Sequence, residues 1–148
     1  MLKQRIYNYC ITLINQKINE MKTELADLTK GTANDSKSSA GDKHETAQAM
    51  MQLEQEKINR RLHEVLEQKN ALQKIDINIK SSKIIIGSLV KTNGLYLFIS
   101  VALGKINMDD KNIIFLSPDS PLGKKLMGLK INERTEINGV VYKIEEIE

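Results

Sequence analysis

Asp42 and Glu45 are the residues in this sequence best placed to do chemistry. They stand three apart at the head of a helical pattern, and positions i and i+3 share a helix face, so both carboxylates can address one point. Such a pair suits a hard cation such as magnesium, which takes oxygen ligands and keeps several waters. In two-metal phosphoryl chemistry one ion of the pair activates the attacking water. A structural role competes with this one. Asp at a helix start with Glu three residues on is a capping-box-like pattern and also complements the helix dipole. On spacing alone the structural role is preferred.

The other reactive types give less. His44 lies between the carboxylates in sequence but off their shared face, and reads as an exposed loop-end residue. Lys57, Arg60 and Arg61 fall at i, i+3 and i+4 and share a face, with Glu54, Glu56 and Glu64 near enough to pair with them, so they read as a solvated flank. Met50-Met51 reads as seam packing. Cys10, the single cysteine, reads as a half-buried filler near the base of a hairpin and excludes an intrachain disulfide. There is no Gly-rich phosphate loop, no nucleophile–base pair and no His/Cys set at metal spacing, so a free-standing enzyme is not expected.

The elements that must position the carboxylates are legible from periodicity. Tyr7, Ile11, Ile14, Ile18, Met21, Leu25 and Leu28 form an unbroken heptad seam. Gly31–Gly41 has no large apolar side chain and two glycines, and reads as a loop. A second helix is expected from about Asp42 to Leu72, with its seam at Met51, Gln55, Ile58, Leu62, Val65, Lys69 and Leu72. Two seams of similar length joined by a short loop predict an antiparallel hairpin with Asp42 and Glu45 at its tip.

Past residue 80 the pattern turns strand-like. Lys83–Val90 and Leu95–Leu103 read as strands about an Asn93-Gly94 turn. Asp109-Asp110 marks a turn before a strand over 112–117. Ser120-Pro121 reads as an N-cap and first position of a short helix, Pro121–Met127, stopped by Gly128. Asn138-Gly139 predicts a last hairpin between Arg134–Ile137 and Val140–Ile147. The expected fold is α+β, with a coiled-coil hairpin over 1–78 and a small antiparallel β domain with one short helix over 79–148.

Composition narrows the class. The chain has 148 residues, 41% of them hydrophobic but only 4% aromatic, which argues against an aromatic ligand pocket. A formal charge of +3, with neither half in excess, is too mild for a general nucleic-acid binder. The opening MLKQRIYNYC has no signal-type apolar block, and no stretch approaches the ~18 apolar residues of a membrane span. A soluble cytoplasmic protein with no membrane partner is expected.

Two motifs in series carry a family resemblance. Gly41-Asp42-Lys43-His44-Glu45-Thr46-Ala47 resembles the G-D-x-x-E-N-A tip of the bacterial Gre transcript-cleavage factors. Ser117-Pro118-Asp119-Ser120-Pro121-Leu122-Gly123, followed by Leu126-Met127-Gly128, is similar to the serine-proline run of their C-terminal domain. Ile86-Gly87-Ser88-Leu89-Val90 resembles the strand that opens that domain. The resemblance spans nearly the whole chain. Departures are the loop-like run Thr29–Ala40 (TKGTANDSKSSA) in place of a helical, partly apolar stretch before the tip, Gln48-Ala49 in place of Glu-Tyr, and Lys130-Ile131-Asn132-Glu133 in place of Lys-x-Gly-Asp.

The resemblance implies a coiled-coil hairpin followed by an FKBP-like domain, and RNA polymerase as the partner. It implies that the hairpin enters the polymerase secondary channel, where Asp42 and Glu45 help to hold the second catalytic magnesium in trans. The polymerase itself then hydrolyses backtracked RNA. It further implies an RNA 3′-end contact at Lys57, Arg60 and Arg61, and a polymerase-rim contact at Ser117, Pro118, Ser120 and Pro121. With few aromatics in the second half, no prolyl isomerase activity is expected. Two other readings compete: a channel binder that tunes transcription without promoting cleavage, and a coiled-coil adaptor that dimerises through Ile14, Ile18 and Met21. A folded-back hairpin predicts a monomer.

Overall fold

The computed structural model describes residues 1–38 and 42–148, with side chains for 1–30 and 45–148. The fold is α+β. Two long helices, α1 (Leu2–Ser38) and α2 (Asp42–Gln73), precede six strands and one short helix. The chain divides into two compact units. One is Ile11–Lys69; the other joins Met1–Cys10 to Asn70–Glu148. The change of periodicity near residue 78 marks where helix gives way to sheet, while the compact units divide at other points.

In the first unit the two seams bury each other. Ile14, Ile18, Ile58 and Val65 are buried, and Ile11, Met21, Leu25, Leu28, Met51, Gln55, Leu62 and Lys69 are partly covered. Gln55 and Lys69 occupy seam positions without being apolar; a lysine can lay its methylene stem along a seam and keep its ammonium in water. Thr23 and Thr29 satisfy their hydroxyls by donating to the carbonyls of Asn19 and Leu25, four residues back, at 2.9 Å each.

The loop expected over Gly31–Gly41 is largely helix instead, since α1 continues to Ser38. Residues 31–38 contain no proline, and one glycine costs a helix only about 1 kcal/mol, a penalty that a helix already propagating can absorb. The rest of that expected loop, 39–41, lies outside the described residues.

The second unit is built on a six-stranded sheet in the order β3-β4-β2-β1-β6-β5. Its strands are β1 (Leu89–Thr92), β2 (Leu95–Ile99), β3 (Gly104–Met108), β4 (Lys111–Leu116), β5 (Arg134–Ile137) and β6 (Val140–Ile147). Three two-residue turns join β1–β2, β3–β4 and β5–β6. Asn93, Asp109, Asp110 and Asn138 have positive φ, as do Gly94 and Gly139, which is the backbone twist such turns require.

The sheet differs from the all-antiparallel expectation in one pair: β2 and β4 run parallel, with Phe98 opposite Phe115. Strand β3, short and mostly polar-faced, was not expected and forms the outer edge beside β4. The apolar run Lys83–Val90 is a strand only from Leu89. Gly87, at φ +91°, turns the backbone, and Ser88 Oγ accepts from Ile85 N at 3.0 Å. A Cβ on Gly87 would lie 2.7 Å from Ile75 Cγ2, so the position requires glycine on two counts.

One sheet face carries a core of Ile84, Val90, Leu97, Ile99, Leu116, Leu126 and Ile144. Phe98 and Phe115 alternate to the opposite face and meet edge to face, with centroids 6.2 Å apart. Ile6, Cys10, Leu72 and Ile75 are buried in the same unit. Tyr7 Oη donates to the Leu72 carbonyl at 3.2 Å, and Arg5 pairs with Asp109 at 2.5 Å. Cys10 is thus fully buried rather than half-buried. No described helix is long and apolar enough to cross a membrane.

Candidate functional site

The acidic motif sits at a helix start. Asp42 is the first residue of α2, and Glu45, one turn on, is exposed. Positions 42 and 45 are three apart in one helix, a spacing that shares a helix face. The side chains of Asp42 and His44 lie outside the described residues. Among the described residues no three His, Cys, Asp or Glu side chains come together to hold a metal.

Further along α2 the face opposite the seam is exposed at Thr46, Ala49, Met50, Leu53, Lys57, Arg60 and Glu64. Met51 is in the seam as expected, whereas Met50 is 66% exposed and is not. Its neighbour in sequence is one-quarter turn round the helix, which is enough to leave the stripe.

The three cations divide by partner. Arg61 Nη2 reaches Glu24 Oε2 at 3.4 Å, so its carboxylate comes from the opposite helix and not from Glu54, Glu56 or Glu64. Sequence spacing within α2 could not have identified Glu24, because the pair depends on how the two helices align. Lys57 and Arg60 point to solvent.

The serine-proline run is a self-contained cap. Ser120 Oγ donates to the Ser117 carbonyl at 2.7 Å and accepts from Gly123 N at 3.1 Å. Ser117 Oγ accepts from Asp119 N at 3.1 Å. Pro121 opens helix α3 (Pro121–Leu126), and Gly128, at φ +85°, follows its end. A Cβ on Gly123 would lie 2.1 Å from the Ser117 carbonyl oxygen. Ser117 and Ser120 therefore spend their hydroxyls on holding α3 against the preceding turn. Asp119 and Pro121 are exposed and Pro118 is partly covered. Gly123 is a required residue of the motif whose packing role the sequence reading did not single out.

Two buried groups have shifted acidities. Burial pushes the Cys10 thiol up to about 12, which leaves it protonated and unreactive at neutral pH. Burial lowers Lys3, opposed by the nearby carboxylates of Glu148 and Asp76. Lys3 also lines a shallow depression of about 250 Å³ with Gln4, Asn78, Ile79, Lys80 and Glu148. Its mixed charges select no ligand class.

No protein-family profile matches the chain, and no curated protein matches it. Among solved structures, that of the transcription factor Gfh1 aligns over 93% of this chain and 92% of its own, at 16% identity and a TM-score of 0.35. A likeness at that level does not bear on function.

Proposed function

We propose that this chain is a Gre-like accessory factor that binds RNA polymerase and promotes hydrolysis of backtracked RNA by the polymerase. The observation that carries the reading is the placement of Asp42 and Glu45, of the sequence motif Gly41-Asp42-x-x-Glu45-x-Ala47, at the start of the second helix of a hairpin. The serine-proline run Ser117–Gly123 follows it in the sheet unit as an intact cap. Either motif alone is common; both, in order and on these elements, support one family reading.

In this reading the polymerase would supply the principal ligands of its magnesium, and Asp42 and Glu45 would help to hold it with carboxylate oxygens. That ion supplies a lowered pKa for the attacking water. Glu45, exposed on the helix, would accept a hydrogen bond from that water and fix its direction. The protein is an activator in trans, not an enzyme alone, and holds no cofactor of its own. Burial of Ile14 and Ile18 within the single chain, with Met21 partly covered, weighs against the adaptor reading. The test is capture of core polymerase on the full chain, followed by RNA cleavage in halted, backtracked complexes. Cleavage that depends on Asp42 and Glu45 supports the proposal. Binding that slows elongation without cleavage would make the protein a channel blocker instead.

A further inference from the structure

Lys3 is the only buried charged residue among the described residues, 7% exposed in the first turn of α1. Its ammonium makes no hydrogen bond or ion pair with another described residue. Buried lysines are ordinarily paired, so a structural salt bridge does not account for this one. Glu148 and Asp76 attract it only from beyond ion-pair distance, and burial outweighs them, so its pKa is lowered. The start of a helix also disfavours a cation. More of Lys3 is therefore neutral amine near pH 7 than an ordinary lysine would be. The neutral amine is the nucleophilic form, and lysines activated by desolvation serve as nucleophiles.

The amine is covered but not sealed. Lys3 lines the depression of about 250 Å³ together with Gln4, Asn78, Lys80 and Glu148. That volume falls below the ~300–1,000 Å³ of drug-sized sites, so an occupant is small. With Lys80 and Glu148 both lining it, the depression does not choose an occupant by net charge, and the choice falls to the reactivity of the amine.

We propose that Lys3 is a privileged acylation site, modified by a small acyl phosphate that enters this depression. The Nζ lone pair attacks the acyl carbon. A C–N bond forms, the bond from that carbon to the phosphate oxygen breaks, and phosphate leaves with the bonding pair and takes up the proton that Nζ sheds. The product amide is uncharged, so the reaction removes an ammonium that burial disfavours. Lys80 supplies a cation for the departing phosphate. This site is independent of the polymerase reading.

The experiment treats the full chain with acetyl phosphate at about pH 8, below the ordinary lysine range, and follows acetylation residue by residue by mass spectrometry. Fragment spectra separate Lys3 from the Met1 α-amino group. Lys3 should react about threefold or more faster than the exposed Lys22 and Lys57. Unfolding the chain in urea should erase that lead. Glu148→Gln removes a carboxylate that holds the proton on Lys3, and should speed its acetylation about twofold. Lys80→Ala should slow the reaction with acetyl phosphate about twofold while leaving that with an uncharged acetyl ester unchanged. Lys3 reacting no faster than Lys22 and Lys57 overturns the proposal, as does a lead that survives unfolding. Equal effects of Lys80→Ala on the two donors overturn the assignment of an acyl phosphate.

Discussion

Arg61 and Glu24 tie the two long helices together, with Nη2 and Oε2 3.4 Å apart across 37 positions of sequence. Both side chains are about half exposed, so the pair is worth little, in the range of 0–1 kcal/mol. Its use is to favour one alignment of the helices. Arg61→Ala should therefore change thermal stability by about 0.5 kcal/mol or less. Charge reversal at Glu24 alone should cost more than either truncation, and reversing both should recover it. A double-mutant cycle followed by thermal melting measures this coupling.

The hairpin is held by its seam. Ile14 and Ile58 are buried there, and truncating either to alanine should cost about 2–4 kcal/mol. Because the seam is satisfied within the chain, the protein should remain a monomer over a wide concentration range. Denaturant unfolding checks the first point and light scattering with size exclusion the second. A dimer that strengthens with concentration and is lost in Ile14→Ala contradicts the hairpin.

The cap of α3 should be sensitive to two small changes. Ser120→Ala removes the acceptor for Gly123 N and should cost about 1 kcal/mol. Gly123→Ala drives a methyl into the Ser117 carbonyl and should cost more than the serine change, since backbone must move. Urea midpoints of the two variants rank them.

Cys10 and Lys3 give opposite pH dependences. The Cys10 thiol, ordinarily near 9.0, is held up to about 12 by burial. Above about 9 the unfolded chain loses that proton and the folded chain keeps it, so stability falls as pH rises from 9 towards 12. Lys3 is lowered from 10.5, so the unfolded chain holds the extra proton just below 10.5, and stability rises through that window. Cys10→Ala should flatten the alkaline loss and Lys3→Met the alkaline gain, each read from melting temperature against pH. In the native protein a thiol reagent at pH 7 should label Cys10 only after denaturation.

Long regular patterns were legible in the sequence, and single backbone events were not. The seam from Tyr7 to Leu28 predicts α1 because seven evenly spaced apolar residues admit one period. Asn93-Gly94 and Asn138-Gly139 predict their hairpins because those residues tolerate positive φ. Gly87 hid the true start of β1, since Ile84–Ile86 is as β-branched as a strand but precedes a turn. The parallel pairing of β2 with β4 is a choice among partners and leaves no local mark. Gly31 and the polar residues after it look like a loop, yet nothing in them forbids helix. At the candidate site Glu45 was placed by spacing, and the exposure of Met50 was obscured by its seam neighbour Met51.

In the proposed function the carboxylates at the start of α2 act in the polymerase active site. Halted, backtracked complexes with end-labelled RNA should release short 3′ fragments about tenfold or more faster when this protein is added, since positioned acid–base groups typically contribute a hundredfold or more. Asp42→Asn with Glu45→Gln should return that rate to the level of polymerase alone while still binding. A double variant that cleaves as fast as the wild type, or a wild type that binds and leaves the RNA intact, contradicts it.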